Sequence, residues 1–326
     1  MHLTVAAAAI AGITLTGAAQ AQASVAAPAS HHLKAASVTA TIPVGSFPIG
    51  AAADPVTDTV YVPNAGDGTV SVICGKTNAV TATITIGGLL LAAAVDPLTD
   101  TVYVSGNGNV YVVNGRTDTV EATIAVGSGL LPGIAANALT DTVYVATGAS
   151  NSVAVINGKT DAVQATVPVG AHPFGVTVNP VTNTVYVANQ GGQSVSVING
   201  STDTVSATIS TGNFPTGVAA NPLTDTVYVA NFGDGTLSVI NGRTNAVTAT
   251  VTISGATPGV DVDPLSGNIY VTNQATNTVA VVSGQTNTVT ATVPVGNSPS
   301  AVAVMWGTGR VYVANEQDNT VSVLAG

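Results

Sequence analysis

The sequence predicts an all-β chain, a seven-bladed β-propeller of four-stranded antiparallel blades, closed by pairing the N-terminal strand with the C-terminal three strands. Three observations predict it. First, a Tyr-Val pair recurs at Tyr61, Tyr103, Tyr144, Tyr186, Tyr228, Tyr270 and Tyr312, with spacings of 42, 41, 42, 42, 42 and 42 residues. A period in the low forties is that of a propeller blade. Second, each period holds about four short runs of Val, Ile, Thr and Tyr between turn residues, alternating with period two in stretches such as TVYVAN and TVSVI. Third, the first copy begins at an outer strand (Val38 to Ile42) and the last ends one strand earlier in the unit (Thr320 to Leu324). Joined, they complete a seventh blade and remove the exposed end blades of an open stack. An open solenoid or parallel β-helix would want capping segments, and the sequence has none.

Residues 163 to 200 show how one unit reads. Gln164 to Val169 is strand d, and the loop Gly170 to Gly175 leads to strand a, Val176 to Val178. Asn179 to Asn183 turns the chain into strand b, Thr184 to Ala188. A loop, Asn189 to Gln193, precedes strand c, Ser194 to Ile198, and Asn199-Gly200 turns back. The Asn-Gly pair suits a type I′ hairpin, which needs φ > 0 twice. The Asp-Pro and Asn-Pro pairs of the a–b turns preset φ and offer a side-chain acceptor. This gives ten aspartates a structural role: Asp54, Asp58, Asp96, Asp100, Asp141, Asp225 and Asp263 in a–b turns, Asp118, Asp161 and Asp203 in c–d turns.

The segment before the repeats reads as an address. Val5 to Ala23 is uncharged and Ala-rich, with Ala-x-Ala sites at 19–21 and 21–23, so residues 1–23 are expected to be a signal peptide. His2 is its only candidate positive charge, and an uncleaved anchor is the alternative. Ala and Gly make a poor spanning helix, so no membrane insertion is expected after cleavage. Residues 24–37 read as a flexible linker, 38–326 as the propeller, and the product as secreted or associated with the cell envelope. Cys74 is alone, so no internal disulfide forms.

Composition narrows the chemistry. Hydrophobic residues make up 46% of the chain and charged ones only 7%, so Thr, Ser, Asn and Gly must build the surface. The net charge is -10 and there is no basic run, which excludes nucleic acid as a partner. Past the leader there are three His (His31, His32, His172) and two Glu (Glu121, Glu316). No HExxH, CxxC, GxSxG or phosphate-loop pattern occurs. No cofactor and no metal are predicted, and no catalytic residue is assigned. Asp67-Gly68 and Asp234-Gly235 supply one carboxylate per loop, against the six to eight oxygens calcium takes.

Strand order places d–a and b–c loops on one face, the top, and a–b and c–d turns on the bottom. All four Phe fall in top loops: Phe47, Phe174 and Phe214 in d–a loops and Phe232 in a b–c loop. Leu89, Leu90, Leu130 and Leu131 join them. The free carboxylates Asp67, Asp234, Glu316 and Asp318 lie in top b–c loops, and every Lys and Arg of the repeats lies on the bottom. The top apolar residues either plug the channel mouth or form a recognition surface. On the second reading, Phe47, His172, Phe174, Phe214, Phe232 and Asp234 contact a protein or glycan partner. Asp261, where most blades have Ala, is expected in the channel, solvated or touching a ligand.

Tyr-Val-Ala/Thr-Asn at Tyr186 to Asn189, Tyr228 to Asn231, Tyr270 to Asn273 and Tyr312 to Asn315 resembles the YVTN-type β-propeller repeat family, over about 290 residues. Blades 2 and 3 depart from it at Val104-Ser105-Gly106 and Val145-Ala146-Thr147. The resemblance implies a seven-bladed, often exported propeller with binding roles at the cell surface or in the periplasm. More distant propellers of lactonase and virginiamycin B lyase type are enzymes. The expected function is therefore a non-catalytic binding propeller. The alternatives are a lactonase-like hydrolase or lyase acting at the channel, and a structural cell-surface component.

Overall fold

The computed structural model describes residues 37–325. They form seven antiparallel sheets in sequence order. Blade 1 consists of strands Ala52–Asp54, Thr59–Asn64, Thr69–Cys74 and Ala79–Thr85, named a to d outward, and later blades repeat this order. In blade 7, strands Pro299–Met305, Arg310–Asn315 and Thr320–Ala325 take Ser37–Pro43 as their fourth member. Ser37 pairs with Ala325, Thr41 with Ser322 and Pro43 with Thr320. The expected closure is thus present. The leader and linker assignments lie outside the described residues, except that the strand takes in Ser37.

Blade 2 departs from the pattern. Its b–c loop is two residues shorter than that of blade 4, so strands b and c run on as one stretch, Thr101–Asn114. The first half pairs with Leu90–Asp96 and the second with Thr119–Leu130. This accounts for the departure from the repeat motif at Ser105-Gly106.

Strands b and c are buried along most of their length, while every strand d is mostly exposed. A register shift interrupts each c–d pairing, for example between Val72 and Ile73. A hydroxyl fills the gap: Thr81 Oγ1 donates to the Val72 carbonyl, Thr248 to Val239 and Thr290 to Val281, at 3.1–3.3 Å. Irregular, Thr-covered outer strands resist edge-to-edge pairing with other chains.

The recurrent Tyr is the wedge between blades. Tyr61, Tyr103, Tyr144, Tyr186, Tyr270 and Tyr312 are all fully buried. A Cβ built on the glycine of the next blade's c–d turn would meet the tyrosine hydroxyl, Tyr61 at Gly115, Tyr144 at Gly200 and Tyr186 at Gly242, 2.7–2.9 Å away. Burial pushes the Tyr144 and Tyr186 phenols up to about 12.

This corrects the turn assignment. The Asn-Gly glycines do not take positive φ. The left-handed residue is the last of a four-residue loop, Asp118, Asp161 or Asp203 in c–d turns and Asp58, Asp100 or Asp141 in a–b turns, at φ of 51–58°. Asp and Asn tolerate that region. The Asn instead folds the turn, as where Asn157 Oδ1 accepts the Lys159 and Thr160 N–H groups at 3.0 and 3.1 Å. Glycine is needed because a tyrosine hydroxyl and the a–b turn press on it, and its N–H donates to that turn, Gly158 to the Asp141 carbonyl at 2.8 Å.

Candidate functional site

The d–a and b–c loops are tied together on one face. The first loop residue after strand b donates its N–H to the d–a loop of the same blade: Ala65 to the Phe47 carbonyl, Gln190 to His172, Phe232 to Phe214 and Glu316 to Ser298, at 2.8–3.0 Å. In blades 1, 4, 5 and 7 the d–a loop follows a Gly-x-X-Pro pattern, and X, which is Phe47, His172, Phe214 or Ser298, stands at positive φ. The Gly packs on the Asn that ends strand b. A Cβ on Gly45, Gly170, Gly212 or Gly296 would collide with Asn64, Asn189, Asn231 or Asn315. These Asn side chains are buried and donate to paired hydroxyls, as Asn189 does to Ser194 and Ser196 at 3.1 and 2.9 Å. The YVxN asparagine is therefore a loop clamp.

The seven d–a loops surround an axial funnel of about 470 Å³. Its rim is a ring of equivalent residues, one per blade: Ile49, Leu91, Pro132, Phe174, Thr216, Pro258 and Ser300. Below them lie Gly50, Ala92, Gly133, Gly175, Gly217, Gly259 and Ala301. Small residues are required here because the inner strands nearly touch. A Cβ on Gly217 would sit 2.9 Å from the Pro258 carbonyl oxygen, and one on Gly175 would run into that of Thr216. Three b–c residues overhang one side: Gln190, Phe232 and Gln274. No charged side chain lines the funnel.

The ring hydroxyls serve the scaffold. Thr216 Oγ1 donates to the Thr257 carbonyl at 3.3 Å and Ser300 Oγ to the Pro48 carbonyl at 3.0 Å. Each bond crosses to the next blade. The rim that remains for a ligand is apolar and aromatic, with two primary amides above it.

The sequence-selected residues separate into groups. Phe174 and Phe232 line the funnel. Phe47, Phe214 and His172 are exposed on the same face but outside its lining. All four Phe are 37–53% exposed, whereas Leu90 and Leu131 are fully buried. Leu89 and Leu130, at 39% and 51%, are exposed like the phenylalanines, and Leu130 joins the funnel lining. Asp234 is exposed, and both its oxygens lie 2.9 Å from the Asn213 N–H. Asp67 holds the Ser46 N–H and Asp318 the Asn297 N–H in the same way, at 2.8 and 2.7 Å. These carboxylates stiffen loops.

Asp261 is half-buried on the inner strand of blade 6, with both carboxylate oxygens bonded to backbone. Its Oδ1 accepts the Val262 N–H and its Oδ2 the Val304 N–H on the inner strand of the next blade, both at 2.8 Å. It is not part of the funnel lining. Burial pushes its carboxyl up to about 6, although the two N–H groups pull the other way. Among the described residues no group of three or more His, Cys, Asp or Glu could hold a metal ion, and no helix is long and apolar enough to cross a membrane.

The sequence reading missed the apolar rim and the two glutamines. The rim's signal was present, since Ile49, Leu91, Pro132, Phe174, Thr216, Pro258 and Ser300 follow one another at the repeat spacing. It was masked because each residue is ordinary by itself.

Comparison with solved structures supports the architecture. The chain is similar to a protein of Kuenenia stuttgartiensis hydrazine synthase, with a TM-score of 0.78 at 19% identity, over 86% of this chain and 96% of that one. At that identity the likeness is one of fold. No family model matches the sequence and no curated protein matches it.

Proposed function

We propose that this chain is a non-catalytic binding propeller of the YVTN type, exported to the cell envelope, whose funnel takes the uncharged end of a glycan. One observation carries the reading: an open cavity of about 470 Å³ lined by Phe174 and Phe232, overhung by Gln190 and Gln274, with no ionisable group. Aromatic rings stack on sugar faces, and amides recognise hydroxyls by donating and accepting at once. The volume lies within the ordinary range for small-molecule sites. The scarcity of acid–base groups weighs against the lactonase-like alternative, and both oxygens of Asp261 are taken up by backbone N–H groups.

The test is calorimetric titration with neutral oligosaccharides, guided by a glycan array. Burying one Phe side chain is worth about 1.5–3 kcal/mol, so Phe174→Ala with Phe232→Ala should weaken binding more than tenfold without changing the melting temperature. Arg116→Ala with Lys159→Ala, on the other face, should leave it unchanged. Binding of an unstructured or folded protein in place of every sugar tested would move the reading to a protein partner. Turnover of a lactone or ester lost on Asp261→Asn would replace it by the enzyme.

A further inference from the structure

The bottom face carries a second periodic apolar feature. In blades 1 to 6 the second residue of each four-residue a–b turn is aliphatic: Val56, Leu98, Leu139, Val181, Leu223 and Leu265. These side chains are 46–62% exposed. Each is presented on a turn folded by the buried Asx before it. Asp54 Oδ1 accepts the Val56 N–H at 2.8 Å, Asp96 that of Leu98 and Asn221 that of Leu223 at 2.9 Å, and Asp263 that of Leu265 at 3.0 Å. A turn of this kind needs no apolar residue at that place, and water disfavours one. In blade 7 the half-buried Trp306 and Gly307 stand there instead.

We propose that this crown is the interface with a second copy of the chain, the two propellers meeting bottom to bottom about a twofold axis. Size is the first argument. About half of six Val and Leu side chains, with the exposed threonines beside them, comes to roughly the ~800 Å² per partner of a standard stable interface. Charge is the second. This face carries Lys76, Arg116, Lys159, Arg243 and Arg310 among the half-buried Asp58, Asp100, Asp118, Asp141, Asp161, Asp203 and Asp225, so both signs are present, with carboxylates in excess. A face of mixed sign can meet its own copy with cations against anions, and a twofold contact closes on itself. The top face offers Asp67, Asp234, Glu316 and Asp318 with no cation, and repels its own kind. Bottom-to-bottom pairing leaves both funnels facing outward, which makes the pair bivalent. The pairing holds whatever the funnel binds.

Sedimentation velocity of the full chain across micromolar concentrations tests this, with the triple variant Leu98→Asn, Leu223→Asn, Leu265→Asn and a top-face control, Phe47→Asn with Phe214→Asn. The wild type and the control should sediment as dimers. The triple variant should dissociate with a Kd raised more than tenfold, a loss of over ~1.4 kcal/mol, and an unchanged thermal melt. A wild type that is monomeric throughout overturns the proposal, as does a triple variant that dimerises like the parent. Flotation of monomeric wild type with neutral phosphatidylcholine vesicles, lost in the triple variant, overturns it in favour of a lipid surface.

Discussion

The Arg310 guanidinium grips the Asp58 carboxylate, with Nη2 2.6 Å from Oδ1 and 2.7 Å from Oδ2. Its other terminal nitrogen donates to the Gly75 carbonyl. Arg310 begins strand b of blade 7 and Asp58 ends the a–b turn of blade 1, so the pair bolts the last blade to the first across the bottom face. On the top face Asn319 Oδ1 accepts the Phe47 N–H at 2.9 Å across the same seam. On the same face Ser300 Oγ donates to the Pro48 carbonyl. The join between the first and last blades is thus held on both faces besides the shared blade.

Arg310→Ala should lower stability measurably. Both partners are largely shielded, at 23% and 16% exposure, and hydrogen bonds to charged groups are worth about 1.5–3 kcal/mol. Arg116, 79% exposed and 3.5 Å from Asp100, is the control, and its removal should change little. Chemical denaturation of the two variants settles the comparison. Equal midpoints would mean that the latch adds nothing to closure.

Removing residues 37 to 43 should do more. Strand c of blade 7 would become an open edge and Ile42, 3% exposed, would leave the core. The expected loss is several kcal/mol, accompanied by self-association through the new edge. A truncated chain that melts with the parent and elutes as the parent does would show that closure does not depend on this strand.

Stability should rise on mild acidification, contrary to the usual course. Burial raises the carboxyls of Asp96, Asp100, Asp118, Asp161, Asp203 and Asp261, whereas hydrogen bonds lower that of Asp67. Asp100, Asp118, Asp161 and Asp203 each bury an oxygen with no protein partner. For Asp261 the unfolded value is 3.8 and the folded one about 6. Between these pH values the native state holds a proton that the unfolded chain has released. Stability is therefore full below about 4, falls as pH rises through 6, and stays reduced above it. Asp67 acts in the opposite sense, but it is one group against six. Melting temperatures from about pH 7 to 4 should climb, and less steeply in Asp261→Ala. A steady fall over that range would refute the balance.

Gly175→Ala should destabilise by about 1–3 kcal/mol, because its Cβ would run into the Thr216 carbonyl of the neighbouring blade. Ala92→Gly, at the equivalent ring position of blade 2, should cost no more than about 1 kcal/mol in backbone entropy. Thermal melts of both variants read the difference.

The 42-residue period, the four strand runs and the d-first, c-last phase were enough to give blade number, strand order, closure and the sorting of loops to faces. These are properties of backbone pattern: alternation decides strands, turn residues decide hairpins, and chain order decides which loops share an end. Side-chain fate was decided by contacts between blades, which no single repeat contains. Phe174 and Phe232 line the funnel while Phe47 and Phe214 do not. Thr216 and Ser300 lose their hydroxyls to a neighbouring loop, and Asp261 is drawn to Val304 of the next inner strand. The Asn-Gly glycines answer to a tyrosine from the preceding blade more than to their own turn. Each of these outcomes depends on the rotation between adjacent sheets, which is set when seven twisted blades close around one axis and exists only in the closed ring.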